Sequence, residues 1–183
     1  MLTLYTPEIE LYDDEKEEFI YVQKQKLQLE HSLISISKWE SKWKKIFFEE
    51  VQSGLKTEEF IDYVRCMTLN PVKDDRVYYS ITSDMMEDIY KYMSDSMTAT
   101  TVKEKPGRKK GRKIRLSSEV IYAQMAILGI PFETNKWHIN RLLTLIRVCD
   151  DLNSPGEKMS KKDQYAFMHA QNNARRAAHN SKG

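Results

Sequence analysis

The sequence has few cysteines and no long apolar run. Only two of its 183 residues are cysteines, Cys66 and Cys149, and they show no Cys-x-x-Cys spacing. This usage argues against a disulfide scaffold and predicts reduced cysteines inside apolar helices, as in a cytosolic protein, although a disulfide between the two stays open. Nowhere do 18 apolar residues run together, and the acidic start lacks the features of a signal peptide. We expect neither a membrane span nor secretion.

Motifs that carry chemistry are also missing. The four histidines show no zinc-finger or His-Glu-x-x-His spacing, and there is no Gly-x-Ser-x-Gly motif. Gly107 and Gly111 flank basic residues as in a phosphate-binding loop, but three residues separate them where the Walker motif needs four. The Lys and Ser or Thr that should follow are replaced by Arg112 and Lys113. We therefore predict a protein that is not an enzyme and has no metal site and no cofactor.

Composition predicts an ordered globular domain, and the hydrophobic periodicity described below predicts that most of it is helical. A hydrophobic fraction of 40% and a charged fraction of 31% are typical of a globular protein, and the length suits one domain with a real core. We predict an α+β fold, predominantly α-helical, with five to six helices, a small N-terminal sheet or hairpin and a central basic β-hairpin. Residues 1–155 should form the domain, with a strand-rich part at 1–33 and the basic hairpin at 97–116, and residues 156–183 a partly exposed helical tail.

Charge is divided unevenly along the chain. Residues 1–98 hold 20 acidic and 12 basic side chains, whereas residues 99–183 hold 7 and 17, which gives about −8 and +10. Such a chain can place a basic surface against phosphate or against an acidic partner, and it can equally match its own two ends or neighbouring copies of itself. Homo-oligomers are therefore one of the expected outcomes.

The strands and first helices follow from hydrophobic periodicity. The N-terminus alternates loosely, and a period-two face continues through Leu27, Leu29, His31 and Leu33. Ser37 and Glu40 have capping-box spacing and predict a helix that ends at Gly54. Its apolar stripe is predicted to be core, with a partner groove as the alternative: Trp39, Trp43, Ile46, Phe47 and Val51.

Four more helices are predicted within the domain. A second follows Thr57 and stops at Asn70 and Pro71, and a third is capped by Ser83. A fourth starts at Ser117 or Ser118 and ends at Gly129, and a fifth starts at Thr134 or Asn135. The fifth has the strongest apolar stripe of the chain: Ile139, Leu142, Leu143, Ile146 and Cys149.

The basic run is the first candidate contact site. Eight of the thirteen residues at 103–115 are basic and only Glu104 is acidic, and the β-branched segments on either side predict a hairpin with this run at its tip. Its candidate contact residues are Lys105, Arg108, Lys109, Lys110, Arg112, Lys113 and Arg115. An Arg-Gly-rich arm can enter a narrow DNA minor groove, but no aromatic residue interleaves to stack on bases. A solvated tip or a contact with acidic protein is the preferred interpretation.

The C-terminal segment is the second candidate. Ser160 and Asp163 offer a helix cap before an Ala-rich stretch with few large apolar groups. This predicts either a solvated helix or a tail that docks on a partner and folds as it does so. The candidate docking residues are Lys161, Lys162, Arg175, Arg176 and Lys182.

Several segments together resemble a known group of proteins. They are LQLEHSLISISKWESKWKK at residues 27–45, DYVRCMTLN at 62–70 and IPFETNKWHINRLLTLIRVC at 130–149, with MTAT at 97–100 and the ending ARRAAHNSKG. They are similar to a widespread group from tailed bacteriophages, assigned as tail assembly chaperones or as virion-assembly proteins of unknown role. The resemblance covers nearly the whole chain, in order. In the similar sequences, the part matching residues 105–115 is a less basic connector.

The resemblance implies a largely helical, non-enzymatic protein made in the cytoplasm of an infected bacterium. Tail assembly chaperones coat the tape measure protein and hand it to the tail tube protein, so either of these is the expected partner. Two alternatives stay open. One is a DNA-binding accessory or regulatory protein that uses the basic run, and the other is a structural component retained in the virion, such as a connector or completion protein.

Overall fold

A computed structural model describes residues 1–13, 17–101 and 115–153, and five positions between 165 and 173. The chain divides into two compact units, Met1–Cys149 and Asp150–Gly183. In the second unit, residues 165, 168, 169, 172 and 173 are helical. The predicted cap at Ser160 lies outside the described residues, and the predicted boundary between 155 and 156 stays a prediction.

The N-terminal region forms two small antiparallel sheets. β1 (Leu2–Tyr5) pairs with β4 (Lys26–Leu29), and between them in sequence β2 (Ile9–Asp13) pairs with β3 (Glu18–Val22). The β2–β3 pair is therefore a hairpin inserted between the two strands of the first sheet. Because successive side chains of a strand point to opposite faces, Leu4, Leu27 and Leu29 all point into the core. The predicted N-terminal sheet is confirmed.

Helices make up most of the rest of the described chain. The α-helices are α1 (Leu33–Trp43), α2 (Phe47–Ser53), α3 (Thr57–Met67), α4 (Ser83–Ser94), α5 (Ser118–Ile127) and α6 (Ile139–Asn153). Short 3-10 helices cover Asp75–Ser80 and Phe132–Lys136. The predicted fold class, α+β and predominantly helical, is confirmed. Among these described helices, none is long and apolar enough to cross a membrane.

The first unit has one hydrophobic core, to which both sheets and all six helices contribute. The stripe predicted for α6 faces this core through Ile139, Leu142 and Ile146. α5 starts after Ser117 and its C-terminal turn meets Gly129, as predicted. Gly129 has φ of +66°, a left-handed conformation that ends a helix without the steric cost a side chain would add.

The first predicted helix has a different start and an internal break. Ser37 lies inside α1, because Ser32 caps the helix one turn earlier by accepting a hydrogen bond from the Ser35 N–H at 3.3 Å. The helix then stops at Lys44, whose φ of +56° is left-handed, and a separate α2 begins at Phe47. The single helix predicted from Ser37 to Gly54 is therefore wrong.

Two other predicted starts are displaced. Thr82 caps α4, one residue before the predicted Ser83, by accepting from the Met85 N–H. α6 starts at Ile139 rather than at Thr134 or Asn135, because residues 132–136 form a 3-10 helix first. The turn-forming Pro131 precedes that short helix, and proline cannot donate the backbone hydrogen bond that would continue α5.

The predicted central hairpin is described only at its two flanks. Residues 97–101 and 115–117 are not in strands. Met97 has φ of +51°, and its N–H donates to the Asp95 carboxylate, so the chain turns there instead of continuing extended. The remaining residues of the predicted hairpin, at 102–114, lie outside the described residues.

Candidate functional site

One of the predicted contact residues in the basic run has a partner within the chain. The Arg115 guanidinium donates from Nε and Nη2 to the two carboxylate oxygens of Glu49, at 2.8 and 2.5 Å. These hydrogen bonds raise the pKa of Arg115. This two-point ion pair joins Arg115 to Glu49 of α2, while the Arg115 side chain is 70% exposed. The role of Arg115 in binding a partner stays a prediction.

The other predicted contact residues lie outside the described residues. In the basic run they are Lys105, Arg108, Lys109, Lys110, Arg112 and Lys113. In the C-terminal segment they are Lys161, Lys162, Arg175, Arg176 and Lys182. Their role in binding stays a prediction.

Two histidines that are 107 positions apart in sequence lie together in the core. The ring centroids of His31 and His138 are 5.1 Å apart, and each side chain is at most 5% exposed. His138 donates from Nε2 to the Tyr92 carbonyl at 3.1 Å and accepts at Nδ1 from the Asn140 N–H at 3.3 Å, which defines a neutral tautomer. His31 Nδ1 is hydrogen bonded to the Tyr63 hydroxyl.

Burial keeps both rings neutral. It lowers the pKa of His31 to about 3, with a further contribution from His138, and it lowers the pKa of His138 as well. The Tyr92 hydroxyl next to them donates to Glu30 Oε1 at 2.6 Å, and the Met1 amino group lies 3.1 Å from Glu30 Oε2. Through these contacts the cluster joins the segment between β4 and α1 to α3, to α4 and to the start of α6.

A metal centre is not supported in the part of the chain that the structure describes. No group of three or more His, Cys, Asp or Glu side chains there is arranged to hold a metal ion. Cys66 and Cys149, both partly buried, are free thiols. Burial raises the pKa of Cys66 to about 11, so its thiol is a poor nucleophile at neutral pH.

Glu40 holds two helix ends that have no cap of their own. Its side chain, 7% exposed, accepts the Phe47 N–H at Oε1 (2.9 Å) and the Ser118 N–H at Oε2 (2.8 Å). Neither α2 nor α5 has a side-chain hydrogen bond from its own N-cap residue. A carboxylate is favourable at both ends, because the first N–H groups of a helix lack partners and carry a partial positive charge.

The tryptophan stripe belongs to the contact between α1 and α3. Trp39 is fully buried and donates from Nε1 to the Glu59 carbonyl at 2.9 Å, which confirms the core interpretation. Trp43 is partly buried and donates to Asp62 Oδ2 at 2.9 Å, and Asp62 also pairs with Lys42 and with Arg65. These contacts use the polar atoms of both indoles within the chain.

Two of the surfaces with exposed apolar side chains carry several of them close together. The first is the outer face of the β2–β3 hairpin, where Tyr12 is 52%, Phe19 73% and Tyr21 55% exposed. The second, here called the α5 turn, comprises residues 126–132 at the C-terminal end of α5, where Ile127 is 82% and Phe132 53% exposed. Neighbouring Ala126 and Pro131 are exposed too. The last three residues of this turn, 130–132, are also the first three of the segment at 130–149, which resembles the phage group.

Comparisons with known proteins give no relative for this chain. No protein-family model, curated protein or solved structure matches it.

Sequence reasoning missed both Glu40 and the aromatic outer face. Glu40 looked like one half of a capping box with Ser37, because its two actual partners lie 7 and 78 positions away. The aromatic face had a signal: Tyr12 alternates with Leu11, and Phe19 and Tyr21 alternate with Ile20 and Val22. Period-two alternation shows which residues share a face of a strand. Here the residues of both faces are hydrophobic, so the alternation does not show which face is buried.

Proposed function

We propose that this protein is a non-enzymatic phage morphogenesis protein, a tail assembly chaperone that binds the tape measure protein, the tail tube protein or both. It acts in the host bacterial cytoplasm. The observation that carries the proposal is the exposed α5 turn, with Ile127 and Phe132 at its two ends. A contiguous patch of exposed apolar side chains is typical of a surface that a partner covers, and we infer that Ile127 and Phe132, five positions apart, belong to such a patch.

The sequence resemblance supports this choice of partner. The turn adjoins the segment with the strongest likeness to the phage group, and the buried stripe of α6 in the same segment fixes the turn against the core. The resemblance implies that the tape measure protein is long and prone to aggregate, and a preformed apolar turn can cover an exposed apolar face of such a partner without itself having to fold.

The interior of the protein supports a binding role as well. His31 and His138 are buried and neutral, and Glu40 is occupied by two backbone N–H groups. These three side chains thus stabilise the fold of the first unit, and we assign partner binding to its surface. We place the binding energy at the α5 turn and assign the acidic and basic segments to steering and to contacts between charged groups.

Co-expression with the tape measure protein of the same phage tests the proposal. We expect the tape measure protein to become soluble and to co-elute with this chain in size-exclusion chromatography. Ile127→Ser combined with Phe132→Ser should weaken the complex at least about tenfold, because burying each of these side chains stabilises a complex by about 1.5–3 kcal/mol. A tape measure protein that stays insoluble, with no complex, would exclude the chaperone role.

A matched control distinguishes a specific effect of the turn from the general effect of removing exposed apolar side chains. Leu69 and Tyr79 are 60% and 62% exposed and lie outside the α5 turn. Leu69→Ser combined with Tyr79→Ser removes a similar apolar area and should leave the complex intact. If this control weakens the complex as much as the turn variant does, the turn is not the binding surface.

DNA binding remains the second candidate, because eight of the thirteen residues at 103–115 are basic. Five phosphate contacts in that run give a log-log dependence of affinity on salt with a slope of about −4 to −5. A titration of duplex DNA at low salt tests it, and undetectable binding excludes it. A permanent virion component is the third, and mass spectrometry of purified particles distinguishes it from a transient chaperone.

A further inference from the structure

The β2–β3 hairpin carries an outer face that the described part of the chain leaves exposed. Its register places Tyr12 opposite Phe19 and Glu10 opposite Tyr21, so these four side chains share one face. The opposite face packs on the core through the buried Val22 and the partly buried Ile9 and Leu11. We call the face formed by Glu10, Tyr12, Phe19 and Tyr21 the outer hairpin face.

The aromatic rings on this face are held in place. The rings of Tyr12 and Phe19 meet edge to face with centroids 5.1 Å apart, and the Tyr21 hydroxyl donates to Glu8 Oε2 at 2.5 Å. More than half of each aromatic side chain is nevertheless exposed. An ordered aromatic surface loses little conformational entropy when a ligand covers it, which favours binding.

The sequence of the hairpin is strongly acidic and therefore favours a cationic ligand. Seven of the eleven residues from Glu8 to Glu18 are acidic and only Lys16 is basic, which gives a net charge of −6. Lys24 follows β3 and is the next basic residue along the chain. Aromatic faces attract guanidinium and ammonium groups, and surrounding carboxylates strengthen that attraction. The face therefore suits a short basic segment with side chains long enough to lie across the rings.

The chain itself contains a segment of this chemistry. Six of the nine residues at 105–113 are Lys or Arg and none is acidic, so its net charge of +6 equals in size that of the acidic stretch. It has two glycines and a proline but no aromatic residue, and thus supplies cations without competing rings. Arg115, just beyond it, is already paired with Glu49 and is left out of the proposed contact.

We propose that the outer hairpin face binds the basic segment 105–113 of a second copy of this chain. Each copy then offers one negative face and one positive segment, so association is head to tail and grows with concentration unless the geometry closes a ring. This contact uses a different surface from the α5 turn. Self-association can therefore be absent in a protein that binds the tape measure protein, and binding to the tape measure protein can be absent in a protein that self-associates.

Sedimentation velocity with the full chain tests the contact through complementary charge reversal. One variant carries Glu10→Lys, Glu17→Lys and Glu18→Lys, all exposed positions, and the other carries Lys109→Glu, Lys110→Glu and Arg112→Glu. We expect the wild type to self-associate, less so as salt is raised, because screening shortens the reach of surface charges to about 10 Å at 0.1 M. Each variant alone should associate at least about tenfold more weakly, because like charges then face each other.

Mixing the two variants gives the decisive result. The mixture restores both attractive pairings, so association should return to near the wild-type level. A Tyr12→Ser, Phe19→Ser variant should also associate weakly, whereas Tyr79→Ser, an exposed tyrosine in the first 3-10 helix, should not. Circular dichroism confirms that each variant is folded.

Three outcomes would overturn the proposal. A wild type that stays monomeric at all concentrations contradicts it, and cross-links between the hairpin and the basic segment inside that monomer would assign the contact to a single chain. Association that both charge variants retain would place the interface elsewhere. Two variants that stay monomeric when mixed would show that the two charged segments do not meet.

Discussion

Glu40 in α1 accepts the backbone N–H of Ser118, the first residue of α5, at 2.8 Å across 78 positions of sequence. The same carboxylate accepts the N–H of Phe47 and so holds the start of α2 as well. One buried acid thereby fixes the mutual position of three helices. Two of them carry surfaces with proposed roles: α5 leads into the exposed turn, and α2 carries the Glu49 that binds Arg115.

The Glu40 carboxylate should contribute strongly to stability. Gln at this position keeps the shape but offers one acceptor oxygen for two N–H donors, and its amide would face the second donor. We expect Glu40→Gln to lower the free energy of unfolding by about 2–4 kcal/mol, since hydrogen bonds to charged groups are worth about 1.5–3 kcal/mol each. Urea denaturation measures this. Glu87→Gln, at an exposed position of α4, is the control and should change little.

Acid should destabilise the protein in a window set by its buried histidines. Burial holds the folded pKa of His31 near 3, against 6.5 for an unperturbed histidine. Below pH 6.5 the unfolded chain binds a proton that the folded chain excludes. The contribution of neutral His31 to the free energy of unfolding is therefore complete above pH 6.5. It falls by about 1.4 kcal/mol per pH unit from pH 6.5 toward pH 3.

Urea denaturation between pH 7.5 and 5 isolates this effect from the carboxylates, which titrate lower. His31→Gln should be less stable than the wild type at pH 7.5, yet its stability should fall less steeply with pH. Some slope should remain, since burial lowers the pKa of His138 too. Equal slopes for the variant and the wild type would contradict the assignment to His31.

Cys66 should react slowly with thiol reagents. Burial raises its pKa to about 11, so at pH 8 its thiolate fraction is roughly a hundredfold below that of a free cysteine. In a Cys149→Ser variant, reaction of the remaining thiol with Ellman's reagent should be slower than in urea by about that factor. A native rate equal to the rate in urea would show that Cys66 is accessible and ionised.

Lys44 is a position where glycine should stabilise the protein. Its φ of +56° at the end of α1 is unfavourable for a residue with a Cβ, and glycine adopts it freely. We expect Lys44→Gly to raise the free energy of unfolding by about 0.5–1 kcal/mol. Lys38→Gly removes an exposed lysine from the middle of the same helix and should instead lower it by about 1 kcal/mol.

The sequence signals that succeeded were local and periodic. The stripe of α6 and the start of α5 after Ser117 depend on residues within a few turns of each other, and both are present. The signals that failed competed with distant partners. Ser37 and Glu40 have the spacing of a cap, but Ser32 caps the helix earlier and Glu40 is used by Phe47 and Ser118. Propensity at one position cannot reveal such long-range hydrogen bonds.

For the candidate surfaces, too, local patterns could be predicted from the sequence and long-range contacts could not. Alternation along β2 and β3 was readable, but which of two hydrophobic faces turns outward depends on the core beneath them. The exposure of Ile127 follows from where α5 ends relative to that core, and a helical pattern alone does not give it. The pairing of Arg115 with Glu49 joins positions 66 apart and had no sequence signal.

The most direct test of the central claim is a binding titration between the purified chain and a purified segment of its phage's tape measure protein. Fluorescence anisotropy of the labelled segment should give saturable binding that the Ile127→Ser, Phe132→Ser variant weakens at least about tenfold and the Leu69→Ser, Tyr79→Ser variant leaves unchanged. The absence of saturable binding by the wild type to any segment of the tape measure protein would contradict the proposed function.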